Sequence, residues 1–516
     1  MTADGDLVLG YDVGTSAVRL ALFDSEGEVV ARGREPYPLL LPAPGWAEQR
    51  PDDWWRAMCV ATRRLLADSE LPRERIAAVA IAAQMTGAVA VDRDGVALHN
   101  ALIWLDTRSE PIARRLTGGA VRVGGYGLGA LARWLWRTNG APNREGRDPT
   151  SKYLWFREAM PELWPRIHKL LDVKDYLVHR ATGRFATTPD SAHLTWLMDS
   201  RRGRMCWSEA LLRHLGLDAA RLPEIVPATA PVGGLGPEAA TELGLLPETL
   251  VAGGAGDVTA FALGAGRLGS GALHLHIGTS AWWGCHLPGR KVDVATGIAT
   301  IAAADPNRYL LVAAQEAAGA CVDWAAPALG FGDGDEVDLA AFDEAAASVV
   351  PDPALPFFFP WLGGERVPVD DRHLRGGFAG ISAQDGRAEL ARSVLEGVAL
   401  NVRWAMQAID RLRGSDEAVV RLVGGGAASA VWGRLLADVL QRPLETTRSP
   451  ELGGALGAAM TAAVAAGWFA DLESAMGMAR VGVRHQPDTD LADYYRARFD
   501  RFLSYHRRTR KWHRPG

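Results

Sequence analysis

The sequence predicts an α/β protein of two similar domains that bind one ligand between them. Two stretches from opposite halves resemble each other, Asp12-Val13-Gly14-Thr15-Ser16 and His276-Ile277-Gly278-Thr279-Ser280, and each follows an apolar, strand-like segment. The 516 residues are too many for a single core. Helical and strand patterns alternate after the first three strands, which is typical of mixed α/β sheets.

The first half begins with strands and continues with a helix. Apolar runs separated by glycine-containing turns predict an antiparallel start. Pro51-Asp52-Asp53 opens a helix through about Asp68. The continuous apolar run Ile76–Ala83 predicts a buried strand. The three initial strands are expected at 7–10, 18–23 and 29–34.

A similar order returns in the second half. Strands are expected at 273–277, 309–313 and 419–423, with a helix from about 317 and a long helix over 386–412. Glycines crowd the chain between 253 and 271. We therefore place the domain junction near residue 266, which gives domains of 1–266 and 267–516.

Composition and charge argue against several classes of protein. The chain is 48% hydrophobic with a net charge of −5 and no basic tract, so neither nucleic acid nor an anionic membrane is expected as a partner. No apolar run approaches the roughly 18 residues of a membrane span. Met1 to Asp6 lacks the features of a secretory signal, and the 4 cysteines show no Cys-x-x-Cys spacing, so free thiols and a cytoplasmic location are expected.

The two similar stretches have the chemistry of phosphate-binding hairpins. Their glycines allow the backbone to approach a ligand closely, and the hydroxyl residues that follow add donors for anionic oxygens. Only the first stretch has a carboxylate, because Asp12 stands where the second has His276. A metal ion chelated by the phosphates would therefore be held from the N-terminal side alone.

Several further motifs accompany these hairpins along the chain. They are Trp46-Ala47-Glu48-Gln49, Ile103-Trp104-Leu105-Asp106-Thr107-Arg108, Gly253-Gly254-Ala255-Gly256-Asp257, Leu362-Gly363-Gly364-Glu365-Arg366, Gly424-Gly425-Gly426-Ala427 and the pattern from Gly376 to Glu396. Together with the hairpins, these motifs resemble the FGGY family of carbohydrate kinases and, within it, the xylulokinase branch. The wider group includes actin and the heat-shock chaperone ATPases. The resemblance covers nearly the whole chain, and the order of the motifs makes it specific.

The resemblance implies two ribonuclease-H-like domains with a central cleft, sugar on the N-terminal lobe and ATP on the C-terminal lobe. It implies that Asp257 is the general base and that Asp12 acts through Mg²⁺. For each aspartate the alternative is a carboxylate that only caps a turn. The residues implied to bind ATP are Gly14, Thr15, Ser16, Arg19, Gly278, Thr279, Gly319, Gly425, Gly426 and Ala427.

The expected acceptor is a small ketose or polyol, with D-xylulose, converted to D-xylulose 5-phosphate, as the first choice. Gln84, Met85 and Thr86 are implied to bind it together with Asp257. Thr86 replaces the histidine usual in the xylulokinase branch, and Val258 replaces its asparagine, so ribulose, erythritol or a similar acceptor stays open. From a different class, an ATP-driven switch like actin or the chaperones also stays open, as does a kinase-derived binding protein without turnover.

The segment from about Gly129 to Ser151 has no good counterpart in shorter xylulokinases, and its composition predicts a helix followed by a loop. It would reshape the sugar side of the cleft, meet a second subunit, or be a solvated insertion. The C-terminal stretch 491–508 is predicted to form an amphipathic helix that packs on its own domain. Both segments leave open whether the protein forms a homodimer.

Overall fold

The computed structural model describes residues 6–333 and 336–513 and has the predicted two-domain α/β architecture. The sequence argument on the N-terminus falls on residues 1–5, outside the described part, apart from Asp6. Two large sheets, one in each half of the chain, carry the predicted hairpins.

The first sheet contains seven strands. Its strand order is β5-β6-β4-β1-β2-β3, and β7 pairs with β4 at one end. The predicted strands are confirmed. The strand Ile76–Ala83 has the expected bounds, and the first three strands are each longer than expected at one or both ends. The strands are β1 (Leu7–Val13), β2 (Ala17–Phe23), β3 (Val29–Pro36), β4 (Ile76–Ala83), β5 (Pro231–Gly234), β6 (Leu250–Ala252) and β7 (Ala255–Gly256).

The second sheet contains eight strands in the order β10-β11-β12-β9-β8-β13-β14-β15. Six neighbouring strands of this sheet, in the order β12-β9-β8-β13-β14-β15, repeat the order β3-β2-β1-β4-β6-β5 of the first sheet. The parallel and antiparallel pairings are also the same. The strands are β8 (Leu273–Ile277), β9 (Ala281–Leu287), β10 (Val292–Asp293), β11 (Ile298–Ala302), β12 (Tyr309–Gln315), β13 (Val420–Val423), β14 (Leu444–Thr447) and β15 (Val481–His485).

Helices cover both sheets. Within the described residues, none is long and apolar enough to cross a membrane. They are α1 (Pro51–Ser69), α2 (Glu110–Leu116), α3 (Leu128–Thr138), α4 (Pro149–Ala159), α5 (Val173–Thr182), α6 (Pro189–Leu194), α7 (Glu209–Leu215), α8 (Pro237–Leu243), α9 (Asp257–Gly264), α10 (Gly319–Ala328), α11 (Leu339–Ala347), α12 (Arg387–Arg413), α13 (Ala430–Leu440), α14 (Gly453–Ala465), α15 (Leu472–Ala475) and α16 (Ala492–Thr509).

One helix of the C-terminal half packs against the N-terminal sheet. Helix α14 lies on β1 and β4 and beside α9, in a core rich in alanine. The approach is so close that a Cβ at Gly10 would overlap the carbonyl oxygen of Ala455, and one at Gly457 would overlap that of Ala260. The small residues therefore join the two halves of the chain at the base of the cleft.

Two local predictions are confirmed. The C-terminal helix α16 packs on its own domain through Phe499 and Phe502, with Arg498 ion-paired to Glu396 at 2.5 Å. The 129–151 segment is helix α3 and then a loop as expected, although Pro149 already begins helix α4.

Candidate active site

The two predicted hairpins occupy equivalent places in the two sheets. The first hairpin (residues 12–17) joins β1 to β2, and the second hairpin (residues 276–281) joins β8 to β9. Each is closed by its glycine amide, from Gly14 to the Ala17 carbonyl at 3.1 Å and from Gly278 to the Ser280 carbonyl at 2.9 Å. Sequence similarity between the hairpins therefore reflects the same position in a repeated fold.

Asp12 is a buried carboxylate at the end of β1. It is 3% exposed and pairs in register with Arg19 of β2. Burial raises the pKa of Asp12 to about 6, although the charge of Arg19 opposes the shift. Gly454 at the start of α14 lies against the carboxylate, where a Cβ would be 2.9 Å from Oδ2.

The donor set around Asp12 is compatible with a phosphate-bound Mg²⁺. Among residues 6–333 and 336–513, no group of three or more His, Cys, Asp or Glu side chains forms a metal site. Mg²⁺ in phosphoryl-transfer sites usually keeps waters and phosphate oxygens and takes only one or two protein carboxylates. A single buried carboxylate beside a phosphate-type hairpin fits that pattern.

Asp257 is the first residue of α9, directly after the glycine-rich turn that follows β6. Its carboxylate is partly exposed and accepts a hydrogen bond from the Val258 amide at 2.8 Å. Burial, followed by the negative charges of Asp12 and Asp190, raises the pKa of Asp257 to about 7. The charge of Asp12 acts on Asp257, so these two carboxylates of the N-terminal lobe lie within electrostatic reach of each other.

Asp190 supports the turn that carries Asp257. Its side chain is 0% exposed and accepts a hydrogen bond from the Gly256 amide at 2.7 Å and another from the Thr259 hydroxyl. No local pattern in the sequence indicates this role, because Asp190 lies 66 positions away from Gly256 along the chain.

Residues of both lobes meet between the two hairpins. The ring of Phe261 in α9 lies 4.5 Å from that of His276 in the second hairpin, and the same phenylalanine packs on Gly454 beside Asp12. Burial and the charge of Arg19 lower the pKa of His276 to about 3, so this imidazole is neutral at physiological pH. The hairpins therefore face each other across α9.

The predicted ATP residues of the C-terminal lobe form one cluster. The Gly319 amide at the start of α10 donates to the Gly278 carbonyl at 2.8 Å, and two further amides of this turn donate to the Thr279 carbonyl. Gly424 lies against the backbone of Ile277. Gly425 is exposed with open space around it, Gly426 packs on Ile277, and Ala427 is buried. Thr279 is exposed at the hairpin tip.

The predicted ATP residues of the first hairpin are held by two side chains of the N-terminal lobe. The Thr15 hydroxyl accepts a hydrogen bond from the Trp104 indole at 3.0 Å, and its carbonyl accepts one from the Gln49 side chain at 2.7 Å. Ser16 is exposed, and its carbonyl accepts a bond from the Tyr37 amide. Trp104 and Gln49 belong to motifs seen in the sequence, but spacing alone did not reveal these contacts.

The predicted sugar residues follow β4. The Gln84 side chain is 2% exposed and donates to Gln49 at 2.7 Å, which leaves Oε1 buried without a hydrogen-bond partner in the described residues. The Met85 side chain packs against Gly256, next to the candidate base. Thr86 lines a cavity between the lobes. The structure thus brings Met85 to the turn that precedes Asp257 and leaves Gln84 buried against Gln49.

The cavity beside Thr86 has a volume of about 730 Å³ and a polar lining from both lobes. The 129–151 segment supplies part of its wall, including Asn143, Arg144 and Arg147. Arg147 lies 3.7 Å from Glu316 of the C-terminal lobe, so an ion pair crosses the cavity. The segment therefore shapes this side of the cleft, and its role in a dimer stays untested.

Repeated sheets with equivalent hairpins and a carboxylate of raised pKa are compatible with a two-lobed kinase of small hydroxylated molecules. The chain belongs to the FGGY family of carbohydrate kinases, whose N-terminal domain model matches residues 7–264 and whose C-terminal domain model matches residues 273–466.

Individual relatives span almost the whole chain. The xylulose kinase of Escherichia coli (strain K12) is 32% identical over 96% of this chain and 98% of its own length. The ligand-bound xylulose kinase structure from Lactobacillus acidophilus has a TM-score of 0.84 at 25% identity and covers 98% of both chains. The gluconate kinase structure from the same species has a TM-score of 0.84, also at 25% identity with 98% of both chains covered.

Proposed function

We propose that this protein is an ATP-dependent kinase that phosphorylates a hydroxyl of a small ketose or polyol, with D-xylulose as the first acceptor. The observation that carries the proposal is Asp257, a partly exposed residue at the start of α9 whose pKa is raised to about 7 by burial and by the charge of Asp12. Relatives named xylulose kinase support the choice of acceptor.

In this proposal Asp257 accepts the proton of the attacking hydroxyl. A general base whose pKa lies near the working pH is ionised in a large fraction of the molecules and still binds a proton strongly enough to remove it from a hydroxyl. Backbone amides and hydroxyls of the two hairpins hold the phosphate oxygens, with Arg19 as a nearby cation. Sugar binding closes the lobes and excludes water, which would otherwise compete for the transferred group.

Asp12 would hold the Mg²⁺ that accompanies ATP. When bound, such an ion would supply positive charge that offsets the negative charge developing on the phosphate oxygens. The burial of Asp12 favours this role, because a buried carboxylate is stabilised by a cation at short distance.

We also place the reaction in the cytoplasm, since the proposed donor is ATP and all 4 cysteines are free thiols.

A panel of acceptors tests the proposal. ADP release with ATP and Mg²⁺ is expected to rise well above background with D-xylulose, and to differ among L-ribulose, erythritol, glycerol and gluconate. Thr86 and Val258 replace polar groups usual in xylulokinases, so a better acceptor than D-xylulose within the panel would redefine the substrate. ATP turnover that no acceptor stimulates would favour the switch alternative.

The rate should depend on pH through Asp257. Because burial and the Asp12 charge raise its pKa to about 7, the ionised base is present above that pH and is lost below it. We expect kcat/KM for the acceptor to fall by roughly tenfold per pH unit on the acid side. Profiles measured between pH 5 and 9, with the melting temperature followed in parallel, check this. A rate that stays flat down to pH 5 would contradict it.

A further inference from the structure

Thr86 has an unusual backbone at the wall of the substrate cavity. Its φ is +63°, in the left-handed region that residues with a Cβ rarely adopt. Such conformations persist when surrounding contacts hold them in place, and they concentrate at functional sites. The contacts that hold Thr86 therefore bear on how it meets a substrate.

Two buried side chains, a lysine and an aspartate, form hydrogen bonds with the backbone on both sides of this residue. Lys152 of α4, which is 0% exposed, donates from Nζ to the Thr86 carbonyl at 2.8 Å and to the Ile103 carbonyl at 2.7 Å. Asp172, the N-cap of α5, accepts from the Gly87 amide at 2.8 Å and from the Thr86 amide at 3.3 Å. Both the N–H and the C=O of Thr86 are thus fixed.

A buried lysine is costly unless its charge is used. Among the described residues, no carboxylate lies within 4.0 Å of Lys152 Nζ, whose hydrogen bonds go to the two carbonyls only. An apolar side chain of similar length would fill the space at lower cost. Burial lowers the pKa of Lys152 to about 7, although the charges of nearby carboxylates, that of Asp106 first, oppose the shift. We therefore attribute the lysine at this position to its two hydrogen bonds with the backbone of the loop that follows β4.

The same region also reaches the turn before Asp257. Lys174, in the first turn of α5, donates to the Gly253 carbonyl at 3.3 Å and pairs with Asp175 at 2.9 Å. The start of α5 therefore contacts the loop of Thr86 through Asp172 and the turn of the candidate base through Lys174. One element, the start of α5, therefore contacts both loops.

We propose that Lys152 and Asp172 are positioning residues that fix Thr86 in its left-handed conformation and thereby set the affinity for the acceptor. This inference rests on the proposed kinase function. It assigns no chemical step to either residue, since neither contacts the reacting atoms.

The test is the Lys152→Met variant, with D-xylulose and ATP as substrates. Methionine keeps the length of the side chain but cannot donate to the Thr86 carbonyl. We expect KM for D-xylulose to rise about tenfold or more, because small displacements of binding groups weaken productive binding strongly. KM for ATP should change less than about twofold, because the ATP residues lie on other loops.

Lys169→Met is the matched control. Lys169 Nζ also donates to two carbonyls, those of Ala220 at 2.7 Å and Leu222 at 2.9 Å, outside the cavity. Its loss should leave both KM values unchanged. Equal effects of the two substitutions, or a wild-type KM for D-xylulose in the Lys152 variant, would overturn the proposal.

Hydrogen exchange without any sugar separates this proposal from the kinase assignment. In Lys152→Met, and in Asp172→Asn if the first variant does not fold, the amides of Thr86 and Gly87 should exchange faster while the rest of β4 keeps its protection. Unchanged protection at both amides would overturn the proposal. If the wild-type protein phosphorylates no acceptor, the proposed kinase function is refuted. Hydrogen exchange would still decide whether Lys152 and Asp172 hold the loop of Thr86.

Discussion

Replacing Asp257 by asparagine is expected to lower kcat by about 10²–10⁴-fold, the usual contribution of a general base. Asparagine has nearly the same shape and can still accept the Val258 amide hydrogen bond, so the start of α9 should be preserved. It cannot accept the proton of the attacking hydroxyl. ATP affinity should stay close to that of wild type, because the phosphate donors belong to the two hairpins.

The measurements are acceptor-dependent ADP release and, separately, ATP binding by calorimetry. Asp438→Asn is the control, since Asp438 is also a buried carboxylate that accepts one backbone amide, from Asp488 at 2.8 Å, but it lies in α13. Its activity should match wild type. Comparable turnover in Asp257→Asn would remove Asp257 from the role of base.

Much of the fold could be predicted because apolar runs determine strands directly. Ile76–Ala83 is apolar throughout and is buried between β1 and β6, so its pattern had one interpretation. The two hairpins were recognisable because each repeats a glycine and hydroxyl residues at the same place after a strand. A repeated fold leaves such signals twice in one sequence.

The contacts that complete the site left no such signal. Nothing local indicates that α14 packs on the sheet of the other half, because its alanines and glycines suit many partners. Lys152 and Asp172 likewise meet Thr86 through hydrogen bonds between residues 66 and 86 positions apart. Buried polar contacts of this kind have no periodicity, so only the folded arrangement reveals them.

Asp12→Asn is expected to raise the Mg²⁺ concentration needed for half-maximal rate and to lower kcat by roughly 10²-fold, a typical loss for one electrostatic group at a transition state. The neutral amide fits the same space against Gly454 but no longer attracts a cation. Rates measured over a Mg²⁺ series at saturating ATP check this, with Asp438→Asn again as the control.

A second consequence of this variant separates an electrostatic role from a loss of packing. Burial is the larger cause of the raised pKa of Asp257, and the charge of Asp12 is the next. Removing that charge should therefore lower the pKa of Asp257 and move the acid limb of the residual activity to lower pH. A packing defect would reduce the rate without moving the limb. An unchanged Mg²⁺ titration together with an unmoved pH profile would show that Asp12 serves neither the metal nor the base.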